Sequence, residues 1–311
     1  MRKTIPNGII GMVHLKALPG SPEYCGDLDQ VERFAVADAN ALLAGGVDAI
    51  MVENFGDVPF QKEVEAVTVS AMTRIIRTIV QLSPVPVGVN VLRNDPLSAL
   101  AIAVATEASF IRVNVHIGAM ITDQGLIEGR AAETLRLRDS LDSDVAILAD
   151  VGVKHATPFD DEWSLEQEAK DAWNRGLADA LIVSGTGTGS PTRKEDLERI
   201  QHVVPDANLI VGSGIRHETV SDFSMASALI VGTAFKRDGR VENEVEVNRV
   251  RELCSLEHGS KIVKCLRAQT KHSFLVTVDN FRILTHGTRQ IVGSSFASPG
   301  FGDNQCFQCI I

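Results

Sequence analysis

An acid and a base follow directly on an apolar run near the middle of the chain. The stretch Ala146–Pro158 begins with residues typical of a buried β-strand, and Pro158 cannot continue that strand. Because side chains alternate along a strand, Asp150 and Lys154 are predicted to share one face, with His155 on the other. A carboxylate and an amine on one face of a strand end suit general acid–base catalysis.

Polar residues end several other apolar runs as well. Alternation predicts that eight such side chains point toward one cavity: His14, Glu53, Asn90, Asn114, His116, Asp150, Lys154 and Ser184. Any one of them could simply hold a neighbouring loop in place, but the whole set indicates a shared polar site. The predicted catalytic residues are Asp150, Lys154, His155, Glu53, His14, Asn114 and His116.

Two other chemistries are open to the same residues. Carboxylates and imidazoles could bind a divalent metal, but neither H-x-x-E-H nor H-E-x-x-H spacing occurs, so the support is weak and no cofactor or metal ligand is assigned. Lys154 could instead form an imine with a carbonyl substrate. Asp150 on the same face would favour the charged amine, which is not nucleophilic, so the sequence favours acid–base chemistry.

Glycine-rich turns follow the last two apolar runs of the predicted sheet. In α/β barrels, backbone N–H groups in these turns often bind phosphate. The predicted phosphate-binding residues are Gly212, Ser213, Gly214, Gly232 and Thr233. Tight turns also favour glycine for conformational reasons alone, so an ordinary connection is the alternative.

A third glycine-rich segment, Ser184–Thr192, combines three glycines with several hydroxyl groups. It is not a P-loop, since no lysine follows Gly189, and it lacks the register of a dinucleotide-binding fingerprint. We interpret it as a loop that covers the substrate, with an ordinary flexible turn as the alternative. The residues assigned to this loop are Ser184, Gly185, Thr186 and Gly187.

Eight short apolar runs alternate with helix-like stretches, as in βαβ units around a parallel sheet. The predicted strands are Ile9–His14, Ala49–Asn54, Pro86–Val91, Phe110–Val115, Val145–Val151, Ala180–Ser184, Asn208–Gly212 and Ala228–Thr233. The predicted helices are Leu28–Ala44, Gln61–Leu82, Pro96–Glu107, Gly129–Leu141, Leu165–Gly176, Arg193–Val203 and Glu218–Phe223. Polar residues at so many strand ends favour a closed (β/α)8 TIM barrel over an open sheet, and we assign the barrel to residues 1–253.

The composition restricts the classes of partner. A chain of 311 residues with 44% hydrophobic residues can form one large barrel domain. Its net charge of −10 argues against nucleic acid and anionic membrane surfaces, and no apolar run is long enough to span a membrane. With no signal-peptide pattern and one cysteine in the first 250 residues, we expect a soluble intracellular protein, cytoplasmic or organellar. Association into a homo-oligomer stays open.

The last part of the chain, residues 254–311, departs from the alternating pattern. It holds four of the five cysteines, and Cys306 with Cys309 has C-x-x-C spacing. One such pair without a partner pair is weak support for zinc. We predict an irregular C-terminal extension, disordered in part or loosely docked.

Four motifs, in order along the chain, together resemble the BtpA family. They are Gly11–Pro22, Asp150–Ala156, Ala178–Gly189 and Val211–Ile215, and the resemblance spans about residues 5–250. It implies a ribulose-phosphate-binding type of TIM barrel. It also implies a role in photosystem I biogenesis in cyanobacteria, and an enzyme or ligand-binding barrel of unassigned reaction elsewhere. The family offers no catalytic residues to carry over, so the predicted site depends on the strand ends.

Two functions follow as hypotheses. The first is an enzyme of lyase, isomerase or hydrolase type that acts on a small phosphorylated metabolite, with phosphate held by the last two βα turns. The second is a non-catalytic assembly or stability factor for a membrane protein complex. Because one fold serves many functions, the barrel alone does not decide between them.

Overall fold

Eight parallel strands close into a barrel in the computed structural model, which describes residues 4–159, 162–185 and 192–257. The barrel strands are β1 (Gly8–His14), β2 (Ala49–Glu53), β3 (Val87–Asn90), β4 (Phe110–Val113), β7 (Ala146–Val151), β9 (Ala180–Val183), β10 (Leu209–Val211) and β11 (Ala228–Val231). They neighbour one another in chain order, and β11 pairs with β1 to close the ring. The predicted TIM barrel is confirmed.

Helices follow most of the strands and cover the outside of the barrel. They are α1 (Leu28–Gly45), α2 (Ala66–Leu82), α3 (Pro96–Thr106), α4 (Ala131–Ser140), α5 (Leu165–Asn174) and α6 (Lys194–Val203). Side chains of Asp27, Asp95 and Ser164 cap the first turns of α1, α3 and α5 by accepting backbone N–H groups. After β10 the chain forms a short 3-10 helix, Val220–Phe223, and residues 247–257 are again helical.

Alternation along the strands builds two apolar layers. One side of each strand packs against the helices, where residues such as Val13, Val52 and Val89 are buried. The other side fills the barrel interior with an apolar plug that includes Ile10, Met51 and Phe110. The ring of Phe110 occupies space that only a glycine leaves open, since a Cβ on Gly88 would lie 2.0 Å from it. This plug closes the barrel below the carboxyl ends of the strands.

A small antiparallel sheet was not predicted from the sequence. It consists of β5 (Ala119–Thr122), β6 (Gly125–Glu128) and β8 (Ala156–Pro158), with β5 in the centre. The shortest barrel strands are no longer but are buried apolar runs, whereas β5, β6 and β8 are largely exposed and form no such run, and β8 follows a turn rather than a helix. The sheet connects the chain after β4 to the chain after β7 beside the barrel mouth.

Several predicted boundaries are wrong, and two of them affect the site. β4 ends at Val113 rather than Val115, and β7 ends at Val151, where Gly152 adopts a φ of +67°. The strand alternation that we extended to Lys154 and His155 therefore stops before them. The predicted helix from Gln61 begins only at Ala66, and the seventh predicted helix is the 3-10 segment.

The predicted C-terminal extension lies almost wholly outside the described residues. Residues 254–257 belong to the helix of residues 247–257, and the assignment of an irregular extension from 254 stays a prediction. Within the described ranges, no helix is both long and apolar enough to cross a membrane.

Candidate active site

A cavity of about 780 Å³ opens at the carboxyl ends of the barrel strands. In TIM barrels this end of the sheet carries the active site. The predicted site residues that line the cavity are His14, Glu53, Asn114, Lys154, His155, Gly212, Ser213, Gly214, Gly232 and Thr233. Met12 and Ile230, at the ends of β1 and β11, supply apolar surface at its base.

A buried ion pair lies at the floor of the cavity, where β4 and β7 are neighbours. Arg112 donates from Nε to Oδ1 of Asp150 at 2.9 Å and from Nη2 to Oδ2 at 2.8 Å. Asn114 donates a third hydrogen bond to Oδ2 at 2.9 Å, and Asn90 donates to Oδ1 of Asn114 at 3.2 Å. We call Arg112, Asp150 and Asn114 the floor network.

The floor network uses both oxygens of Asp150 and leaves that side chain fully buried. Arg112, by contrast, lines the cavity. Burial opposes the charge of Arg112, but the carboxylate of Asp150 outweighs it and raises the pKa of the guanidinium. Asp150, which we predicted as an acid or base, therefore does not face the cavity. It holds Arg112 in a charged state beneath the ligand space.

Lys154 reaches the cavity from the turn that follows β7. Its Nζ donates to the backbone carbonyl of Gly212 at 2.9 Å. Arg93 fixes the same turn, because its Nη2 donates to the carbonyl of Lys154 at 2.7 Å. Burial, together with the charge of Arg112, lowers the pKa of Lys154 from 10.5 to about 8. A fraction of this amine is therefore uncharged near neutral pH.

His14 and Glu53 form a second pair, at the ends of the neighbouring strands β1 and β2. Nε2 of His14 lies 4.0 Å from Oε1 of Glu53, and both side chains are about one tenth exposed. Burial, aided by the nearby cations Lys236 and Lys154, lowers the pKa of His14 to about 3. Burial also raises the pKa of Glu53 from 4.5, although Arg112 and Lys154 oppose the shift. The imidazole is thus neutral at physiological pH, and the carboxyl group retains its proton to a higher pH than usual.

Glycine turns after β10 and β11 lie beside this pair. The chain reverses at Gly214, whose φ is +73°, and Oγ of Ser213 accepts the backbone N–H of Gly185 at 2.9 Å. The second turn, at Gly232, packs against the imidazole of His14. Arg216 and Arg249 line the same side of the cavity. The N–H of Gly212 is already bound to the carbonyl oxygen of Val183, so an anion at the predicted position would be held by other groups of these turns and by the two guanidinium groups.

Some predicted residues do not reach the cavity. His116 is buried elsewhere, with Nε2 2.8 Å from the carbonyl oxygen of Gly176, because the chain has left β4 three residues earlier. Asn90 lies below the cavity, bound to the floor network. Ser184 and Gly185 lie behind the Gly212 turn rather than on the cavity wall. Thr186 and Gly187 fall outside the described residues.

Four cavity arginines were absent from the predicted site: Arg93, Arg112, Arg216 and Arg249. For Arg112 the signal was available, since it shares the polar side of the predicted strand Phe110–Val115 with Asn114. The other three come from loops or from a later helix, where no strand alternation indicates which way a side chain points. Within the described ranges, no group of three or more His, Cys, Asp or Glu could hold a metal ion.

Sequence comparison identifies close relatives. The sequence model described as "BtpA family" matches residues 5–259. The "Photosystem I biogenesis protein BtpA" of Synechocystis is 48% identical over 246 residues, covering 78% of this chain and 85% of the relative. An uncharacterized protein of Thermococcus kodakarensis is 48% identical over 249 residues, covering 80% of this chain and 94% of the relative. An uncharacterized protein of Caenorhabditis elegans, described as mitochondrial, is 31% identical over 250 residues, covering 78% of this chain and 90% of the relative.

Solved structures share the fold at low sequence identity. The one described as "Native KDPGal structure" matches with a TM-score of 0.51 and 12% identity, covering 86% of this chain and 100% of the other. A cube-shaped protein cage designed by fusing symmetric oligomeric domains matches with a TM-score of 0.54 and 14% identity, covering 87% of this chain and 78% of the other. At such identities the matches support the barrel fold alone.

Proposed function

The chain belongs to the BtpA family, and from the geometry of its barrel mouth we propose that it is an enzyme acting on a small phosphorylated metabolite by acid–base chemistry. The reaction would be of lyase, isomerase or hydrolase type. The phosphate would lie against the turns at Gly212–Gly214 and Gly232–Thr233. The reacting part of the molecule would lie over the floor network.

One observation carries this proposal: the cavity is cationic in an acidic protein. Five lysine and arginine side chains line it against three aspartates and glutamates, with Asp150 as a fourth carboxylate buried behind Arg112, although the chain has a net charge of −10. Of the three acidic residues, Asp123 and Glu218 are exposed at the rim, while Arg93 and Arg112 are buried. Field lines from cations in a low-dielectric cleft attract small anions, so the charge distribution favours a phosphorylated ligand.

Four groups of the cavity could act on such a ligand. Glu53 is the candidate acid or base, because burial raises its pKa above that of an ordinary carboxyl group and so lets it keep a proton to a higher pH. Neutral His14 beside it can donate a hydrogen bond to a developing negative charge. Lys154 and Arg112 would stabilise negative charge on the reacting oxygen.

Thermal unfolding in the presence of phosphate compounds tests the proposal. We expect inorganic phosphate, glycerol 3-phosphate or a sugar phosphate at about 100 times its Kd to stabilise the fold by about 2.7 kcal/mol, which raises Tm by several degrees. Arg216→Ala should weaken this shift, whereas Arg199→Ala, which removes a surface ion pair with Glu166, should leave it intact. If no phosphate compound raises Tm of the wild-type protein, the proposal is wrong.

A second function is supported by the Synechocystis relative, whose name assigns it to photosystem I biogenesis. This chain would then assist the assembly of a membrane protein complex without catalysis. The two functions separate in a Synechocystis strain in which this chain replaces the relative. Equal restoration of photosystem I by the wild type and by Glu53→Gln would favour assembly, and restoration by the wild type alone would favour catalysis.

A further inference from the structure

Resting on the proposed function, we propose that Lys154 is a nucleophile that forms an imine with the carbonyl group of a short phosphorylated aldehyde or ketone. The sequence argued against this chemistry, because Asp150 was expected to pair with the amine and keep it charged. The structure weakens that objection: Asp150 and Glu53 still raise the pKa of Lys154, but burial and the charge of Arg112 lower it by more. Both oxygens of Asp150 are bound by Arg112 and Asn114 instead.

The hydrogen bond of the amine goes to a neutral partner. Nζ of Lys154 donates to the carbonyl oxygen of Gly212, and within the described ranges no carboxylate lies within ion-pair distance of it. A lysine without a bound carboxylate can release its proton, and a neighbouring guanidinium favours that release. Arg112 supplies this cation, held in place by Asp150.

The lowered pKa of Lys154 makes the amine available at physiological pH. With a pKa of about 8, about one tenth of the side chains are uncharged at pH 7, compared with less than about 0.1% for an ordinary lysine. The uncharged amine carries the lone pair that attacks a carbonyl carbon. Partial burial is the larger cause of this shift, so the effect depends on the shape of the cavity as well as on Arg112.

The position of the amine also restricts the substrate. Lys154 donates a hydrogen bond to Gly212, in the turn that we assign to phosphate binding. A ligand with its phosphate at this turn would therefore place carbon atoms only a few bonds from the phosphate next to Nζ. This geometry fits a phosphorylated carbonyl compound of few carbons better than a long chain or a nucleotide.

Imine formation needs only the amine, the carbonyl compound and proton transfers, which a group that lines the cavity can perform. The amine of Lys154 forms a C–N bond to the carbonyl carbon, and the carbonyl oxygen takes up a proton to give a carbinolamine. The C–O bond then breaks, that oxygen leaves as water with a second proton, and the nitrogen, which has lost both of its protons, forms the C=N double bond of the imine. Glu53, whose pKa is raised by burial, can deliver and recover the protons that move between nitrogen and oxygen.

Reductive trapping tests the proposal on the full chain. The protein is incubated with dihydroxyacetone phosphate, glyceraldehyde 3-phosphate or pyridoxal 5′-phosphate, each equimolar with protein, and reduced with borohydride. Peptide mass spectrometry then locates the adduct. We expect at least one probe to label Lys154 in most molecules and to label the exposed Lys194 at least tenfold less. Labelling of Lys154 should rise with pH and reach half of its maximum near pH 8.

Two variants keep the result interpretable. Lys154→Arg should lose the adduct while retaining its thermal unfolding transition, which shows that the variant folds. Lys194→Arg should keep the adduct at Lys154. If phosphate compounds stabilise the protein but no probe labels Lys154 above Lys194, the imine proposal is overturned and the proposed function stands. If phosphate compounds do not stabilise it either, both fall.

Discussion

Two groups of charged residues meet at the barrel mouth and differ in how their charges are satisfied. In the floor network, Asp150 accepts three hydrogen bonds from Arg112 and Asn114, and its side chain is fully buried. In the pair above it, His14 and Glu53 approach only to 4.0 Å. Both groups are buried, but only the first has partners for its charges.

The difference decides what each group can do. A buried charge must be paired or must give up its charge through a pKa shift. Arg112 keeps its charge because Asp150 lies beside it, whereas His14 and Glu53 both shift toward their neutral forms. The floor network is therefore suited to hold a fixed positive charge, and Glu53, beside a neutral His14, to exchange protons. A carboxylate whose two oxygens both accept hydrogen bonds is therefore a poor candidate for an acid or base.

The largest expected effect is on folding, from Asp150→Asn. This change preserves shape but leaves Arg112 buried without a counter-ion, which typically costs about 3–5 kcal/mol. Urea unfolding at neutral pH should show a loss of this size. A loss below about 1 kcal/mol would mean that the floor network is solvated in solution and would remove the contrast between the two groups.

A double variant serves as control for that measurement. Arg112→Met combined with Asp150→Leu replaces both charges with apolar side chains of similar volume. Because no unpaired charge is left, the double variant should be more stable than Asp150→Asn alone. The comparison separates the cost of an unpaired charge from the cost of altered packing.

Glu168, in α5, is a third carboxyl group that can be compared with Asp150 and Glu53. This carboxylate accepts hydrogen bonds from the backbone N–H of Gly152 and from the indole of Trp163, each at 3.0 Å, but it has no ion-pair partner within the described ranges. It should therefore behave like Glu53, and burial indeed raises its pKa to about 7. The folded state then holds a proton that the unfolded state loses near pH 4.5.

The stability contributed by this proton is complete below about pH 4.5 and is lost as the pH rises to about 7. Relative to Glu168→Gln, the wild type should lose at most about 3 kcal/mol over this range, less in proportion to the exposure of the carboxyl group. Urea unfolding at several pH values measures the difference. Glu195→Gln, at an exposed helical position, is the control. A difference that stays constant with pH would contradict the assignment.

The smallest expected effect on folding is from Glu53→Gln, the isosteric counterpart of Asp150→Asn. Because Glu53 binds its proton more tightly in the folded state, its stabilisation is present at low pH and is lost as the pH rises through its raised pKa. An amide needs no proton, so at pH 8 the variant should be within about 1 kcal/mol of the wild type or more stable. A loss as large as that of Asp150→Asn would mean that Glu53 is structural.

Side chains at the ends of strands were the ones whose direction could be predicted from the sequence. His14 and Glu53 are the last residues of β1 and β2, so alternation placed both correctly at the cavity. The same logic failed for His116, because β4 stops at Val113 and a turn redirects the chain. Lys154 was correctly placed for the wrong reason, since a turn at Gly152 and not the strand carries it to the cavity.

Pairing of charges could not be predicted from the sequence. Arg112 and Asp150 are 38 residues apart, and only the closed barrel brings β4 beside β7. Without knowledge of that contact, the sequence pattern indicated that Asp150 was a free carboxylate that would pair with Lys154. Loop arginines such as Arg216 and Arg249 were missed because loops have no periodicity to indicate a direction. The fold was therefore easier to predict than the roles of the residues within it.

A crystal structure of the protein soaked with glycerol 3-phosphate tests the proposed site most directly. We expect the phosphate to lie between the Gly212–Gly214 and Gly232–Thr233 turns, near Arg216, with the glycerol carbons directed toward Lys154 and Glu53. Phosphate bound only outside the barrel mouth, or a mouth that stays empty while the protein is saturated in solution, would contradict it.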